Sequence, residues 1–290
     1  MTFETPTALE YFASLVADDA SLPLVEAALS IAQDDFPQLD TQAVMAEIDT
    51  LAVRLKQRFP ADAVAVQRLR CLNRFFFQEL GFGGNINNYF DPDNSYLHRV
   101  LHTRRGIPIT LAIFYIELAL QIGLTACGVS FPGHFLIKLR MATGRQQGEV
   151  VIDPFTGHSL SRDELDELLT PYKRNRGLHG DFDVPLGLFL QAATHREVVA
   201  RLLRNLKEIY RDGQDRRRLL QVQERLVVLL PQAWEERRDR GLAYAELGFD
   251  AAAARDLSEY LDQVPDASDR ALVTERLAAL GADGGPLRMH

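Results

Sequence analysis

Residues 104–120 read RRGIPITLAIFYIELAL, and from Ile107 onward the run is apolar on nearly every face of a helix. A helix without a polar stripe has to be covered on all sides, so this one is read as a buried element with other structure built around it. Pro108 suits the first helical turn, because its ring presets φ and its missing N–H has no intrahelical partner to lose. The spacing predicts a helix from about Pro108 to Ile122, stopped by Gly123. Glu117 interrupts the run, and Ile107–Leu120 falls short of the ~20 apolar residues that a bilayer span needs.

The chain has 290 residues, enough for a sizeable core and more than one domain. Upstream, TALEYFASLVAD, LPLVEAALSIAQ, DTQAVMAEIDTLAVRLKQRF and ADAVAVQRLRCLNRFFFQEL carry helical periodicity. Asp40 reads as an N-cap of the third, and the fourth is expected to end at Gly81. GFGGNINNYFDPDNSYL then reads as a long polar loop. Beyond the apolar helix the period shortens. TACGVSF, HFLIKLRM and GEVVIDP predict an antiparallel meander, with ATGRQQG as a turn. Ser161, with Glu164 three residues on, predicts a capping box, and residues 171–188 read as a linker or ordered loop.

From about residue 190 the chain is helical again and repeats itself. Tyr210 and Tyr244 are 34 residues apart, as are Pro231 and Pro265. That period belongs to the helix–turn–helix unit of tetratricopeptide repeats. The expected class is α+β, in three segments: a helical N-terminal region (1–80), a core with a small antiparallel sheet (81–188) and helical repeats (189–290).

Charge excludes some functions. The formal net charge is −8 and the pI about 5.4, the opposite of a nucleic-acid-binding footprint, so no nucleic-acid or membrane partner is expected. Two cysteines, Cys71 and Cys127, form no disulfide framework and suit a reducing cytoplasm. The N-terminus has no basic segment followed by an apolar one, so a soluble cytoplasmic protein is expected. The His and Cys spacing fits no zinc site, GFGG lacks the Lys of a phosphate loop, and no cofactor is expected.

His134 in PGHFLIKL and Asp153 in VIDPF have the order of a base and its orienting carboxylate downstream of a helix whose N-terminus would hold a nucleophile. Either residue equally suits a structural role in strand or turn. The loop residues Asn85, Asn87, Asn88, Tyr89, Asp91, Asn94 and Ser95 suit turn chemistry or a polar cleft wall. Arg104 and Arg105 are read as anchors for that loop, through a carboxylate such as Asp91 or Asp93, with an anion site as the alternative. Thr110 has a hydroxyl that either reaches His134 or bonds a backbone carbonyl in its own helix.

These strings resemble a transglutaminase-like (papain-like) core. RRGIPITLA, GLTACGV, PGHFLIKL and VIDP follow its motif order, and His134 and Asp153 match its base and orienting residue. Aligned on Gly106 and Ala112, Pro108 falls where that family has its nucleophilic Cys, and Cys127 falls at its Arg position. LNRFFFQELGFGGNINNYFDPDNSYLHRVLHTRRGIPITLAIFY, FPGHFLIK and the repeat tail together resemble the SirB-like family of bacterial proteins, over most of the chain. That resemblance implies a degenerate transglutaminase-like core with tetratricopeptide repeats and brings no reaction with it. Two functions are open on this reading. One is a non-catalytic regulatory protein that binds a protein partner through its repeats. The other is a hydrolase or acyl transferase that uses His134 and Asp153 with water or a hydroxyl.

Overall fold

The computed structural model describes residues 6–143, 146–178 and 183–283. The elements run α1 (Ala8–Leu15), α2 (Leu24–Ser30), α3 (Thr41–Lys56), α4 (Ala65–Asn73), β1 (Gly83–Gly84), α5 (Leu97–Thr103), β2 (Arg105–Gly106), α6 (Pro108–Gln121), β3 (Thr125–Val129), β4 (Leu136–Thr143), β5 (Gln146–Ile152), β6 (Ser159–Leu160), α7 (Arg162–Asn175), α8 (Leu186–Phe189), α9 (His195–Asp212), α10 (Arg216–Leu229), α11 (Trp234–Glu246), α12 (Asp250–Gln263) and α13 (Arg270–Asp283). The class is α+β. Packing divides the chain into two compact units, Asp18–Leu202 and Met1–Ala17 with Leu203–His290.

In the unit 18–202, α6 is the central element. Ile109 to Ile116, Leu118 and Ala119 are all buried. The helix contacts α2, α3, α4 and α5, and also β3 and β4 of the sheet. Pro108 is its first residue, Ile122 caps it, and Gly123 follows at φ +77°. The sheet is an antiparallel meander in the order β3-β4-β5-β6. One face packs Val129, Leu136 and Val151 on Leu165 and Leu169 of α7 and Leu186 of α8. Strand alternation turns the fully buried Ile137 and Leu139 to the other face, where β4 meets α6. The tip of the expected ATGRQQG turn, 144–145, lies outside the described residues, as do 179–182 of the expected linker.

Two local expectations are corrected. The fourth helix does not run as one α-helix to Gly81. It starts at Ala65, and Arg74–Glu79 is a π-helical segment with a bond from Leu80 N–H to the Phe75 carbonyl at 2.8 Å. Bonding from i to i+5 turns the chain less per residue, so the consecutive Phe75 and Phe76 can both be fully buried. The linker expected from residue 171 begins later, because α7 continues through Pro171 to Asn175. Proline removes one helical bond there. Ser161 and Glu164 form the expected capping box at its start, and Leu165 and Leu169 hold the helix on the sheet.

In the second unit, which takes in α9 only from Leu203 onward, α10 to α13 pack in succession as the repeat array and α1 packs on α10. Phe12 of α1 is fully buried, with the Arg225 guanidinium 5.4 Å from its ring centre. Helices α11 and α12 approach closely at Gly241, where a Cβ would stand 2.8 Å from Leu257. The buried Ala243 and Ala253 belong to the same pair. Arg240 bonds both carboxylate oxygens of the buried Asp256, at 2.7 and 2.8 Å.

Candidate functional site

The sequence motifs converge at the N-terminus of α6 and the neighbouring end of the sheet. β1 and β2 pair in parallel, Gly83 with Arg105 and Gly84 with Gly106. This ties the GFGG segment to the residues that lead into α6. Gly84 N–H also donates to the Phe155 carbonyl at 3.0 Å. The loop, the start of α6 and the turn after β5 are thus one backbone-linked assembly.

Inside the loop the polar residues bond one another. Asn94 is buried; its amide donates to the carbonyls of Asn88 (2.6 Å) and Tyr89 (3.1 Å) and accepts from Asn85 at 3.0 Å. The Asn88 amide donates to Asp91 at 2.9 Å, and Asp91 accepts from the Asp93 N–H at 3.0 Å. Thr110, fully buried, accepts from the Ile107 N–H at 3.2 Å. Its hydroxyl faces the carbonyls of Asn94 at 2.9 Å and Ile107 at 3.0 Å. It therefore pins the loop to the first turn of α6. Ser95 is fully buried, and among the described residues its hydroxyl has no hydrogen-bond partner.

The arginines anchor the loop differently from the expectation of a carboxylate partner. Asp93 pairs with Arg99 at 3.6 Å. Arg105 donates to the carbonyls of Gly81 and Arg104. Arg104 has a left-handed backbone, φ 61°, and its guanidinium lies 4.8 Å from the centre of the Phe82 ring. Burial lowers its pKa.

His134 and Asp153 sit at the same end of the β4–β5 ladder, two residues before Leu136 and one after Ile152, beside the Ile137–Ile152 pair. His134 is exposed, in a turn held by its own N–H to the Phe131 carbonyl at 3.0 Å. Among the described residues its imidazole makes no hydrogen bond. Asp153 is half-buried and serves its own turn: one oxygen accepts from the Phe155 N–H at 2.9 Å, the other from the Thr156 hydroxyl at 2.8 Å. The two residues share a neighbourhood without bonding each other. Burial raises the pKa of both Cys71 and Cys127, which disfavours their thiolate forms.

Arg201 is a participant that sequence reasoning missed. It reaches from α9 to the Ser130 hydroxyl at 3.3 Å, and its guanidinium lies 5.5 Å from the centre of the Phe135 ring. It thereby braces both ends of the turn that carries His134. No local signal marks it, because it sits 67 residues from His134 in a segment that reads as a repeat helix.

Comparison with known proteins agrees with this architecture. A transglutaminase-like superfamily model matches residues 42–204, and a tetratricopeptide repeat model matches 206–278. A protein of Xylella fastidiosa (strain 9a5c) named UPF0162 protein is 37% identical over 91% of this chain and 92% of its own. Protein SirB1 of Salmonella typhimurium is 28% identical over 80% of this chain and 82% of its own. UPF0162 protein YchA of Escherichia coli K12 is 29% identical over the same shares. No solved structure matches. With the family model covering more than half of its length and relatives aligning along most of it, the chain belongs to the SirB-like UPF0162 family, a transglutaminase-like domain followed by tetratricopeptide repeats.

Proposed function

We propose that this chain is a non-catalytic, regulatory member of the family, a pseudoenzyme that binds a protein partner through its C-terminal repeats in the cytoplasm. The observation that carries the reading is Pro108 as the first residue of α6, the place where the resembled core has its nucleophilic Cys. Proline has no side chain able to attack a carbonyl. The neighbouring hydroxyls do not substitute for it: Thr110 is fully buried and bonded to backbone, and Ser95 is fully buried. Asp153 spends its carboxylate on its own turn, and among the described residues no carboxylate hydrogen-bonds His134.

On this reading residues 81–188 are a core kept for its shape, 1–80 its helical flank and 189–290 the binding module. Tetratricopeptide repeats generally mediate protein interactions, and here Phe249 and Leu272 are exposed at 54% and 63%. Affinity capture with the full chain, compared with the Phe249→Asp/Leu272→Asp double variant, tests the partner role. Loss of a specifically retained protein in the folded variant is expected. Its undiminished retention would remove the repeats as the binding surface.

A further inference from the structure

Glu117, the charge that interrupts the apolar run of α6, has no part in the site at the other end of that helix. It lines a cavity of about 260 Å³ between α2, α3 and α6. Ile113, Ile116, Glu117 and Leu120 recur at i, i+3, i+4 and i+7, so one stripe of α6 forms one wall. Met45, Ile48 and Asp49 form the facing stripe of α3. The walls are apolar, and the acids Glu26, Asp49 and Glu117 are added to them with no Lys or Arg in the lining. Asp49 and Glu117 form no ion pair among the described residues. Both lie within reach of one nitrogen: the Gln121 amide is 2.7 Å from Asp49 Oδ1 and 2.8 Å from Glu117 Oε1.

We propose that this cavity binds a small aliphatic ammonium, its charged head displacing the Gln121 amide from between Asp49 and Glu117 and its alkyl tail along Ile113, Ile116 and Met45. Charge complementarity selects the head. A positive N–H donor bonds carboxylates more strongly than the neutral Gln121 amide does, while an anion would meet three acids and no Lys or Arg. His195 is the one other titratable group in the lining, its Nδ1 2.8 Å from the Leu22 carbonyl. Apolar walls select the tail. Size selects a free small molecule, since the volume is below the ~300–1,000 Å³ usual for larger ligands.

Methyl NMR titration of the full chain tests this with n-hexylamine, n-hexanol, n-hexanoate and a lysine-containing peptide. Saturable shifts of the Ile113, Ile116 and Met45 methyls are expected with the amine, with the alcohol and the carboxylate far weaker. Glu117→Gln should weaken the amine about tenfold, the loss of one charge-assisted hydrogen bond. Asp49→Asn, at an exposed position, should act likewise and serves if the first variant misfolds. Equal binding of amine and alcohol, absence of amine binding, or affinity unchanged in both folded variants would overturn the proposal. Tighter binding of the peptide than of the amine would also overturn it, assigning the cavity to a partner's lysine.

Discussion

The ring of Phe155 stands where a side chain at Gly84 would begin. A Cβ at Gly84 would lie 2.2 Å from two of its carbons. The bond from Gly84 N–H to the Phe155 carbonyl holds the two backbones together, so the contact is relieved either by turning the ring or by breaking that bond. Gly84→Ala is expected to destabilise the chain by about 1–3 kcal/mol, the range for forced overpacking. Urea unfolding followed by circular dichroism measures it. An unchanged midpoint would show that the half-buried ring swings aside freely.

Thr110 is the second joint between loop and helix. Thr110→Val keeps the shape but leaves the Ile107 N–H and the Asn94 carbonyl each without this buried partner. A loss of about 1–3 kcal/mol is expected, with Thr110→Ser retaining most of the stability. The same unfolding measurement decides it, and equal stability of the Val and Ser variants would contradict the pinning role.

Much of this was legible in sequence because it is local. Periodicity located α6, Pro108 and Gly123 marked its ends, and alternation with turn residues found the β3–β4–β5 meander. The Tyr and Pro spacing found the repeats. What escaped depends on distant chain segments. Arg201 joins the His134 turn through tertiary packing alone. The parallel Gly83–Arg105 pair and the Gly84–Phe155 contact bring together residues whose glycines read locally as turn signals. The arginines' partners were misjudged because backbone carbonyls, which no residue letter reveals, compete with carboxylates for guanidinium groups.

Both thiols should be slow. Burial raises the pKa of Cys71 and Cys127, which lowers the thiolate fraction at neutral pH. Labelling with a thiol reagent at pH 7 is expected to be slower in the native chain than in denaturant at both positions. Native labelling as fast as in denaturant would contradict the burial argument.

The repeats carry an acid-sensitive joint. The Asp269 carboxylate accepts from the Tyr260 hydroxyl at 2.7 Å and pairs with Arg238 at 2.7 Å. These bonds hold its pKa below the ordinary 3.8, Tyr260 contributing most. A pKa lowered by folding gives stability that is complete well above pH 3.8 and declines as pH falls through the folded value. Trp234, the chain's one tryptophan, packs against the Leu257–Val273 cluster and reports on this unit by fluorescence. Asp269→Asn should lower stability at pH 7 and flatten its fall below pH 4. An unaltered acid profile would remove Asp269 from that role.

The claim that the core is kept without its chemistry is tested most directly by turnover. Wild type, His134→Ala and Asp153→Asn would be assayed side by side on amide, peptide, ester and glutamine-transfer substrates, with folding checked by circular dichroism. Wild-type rates indistinguishable from both variants and from buffer are predicted. Wild-type turnover that disappears in a folded His134→Ala variant would contradict the account.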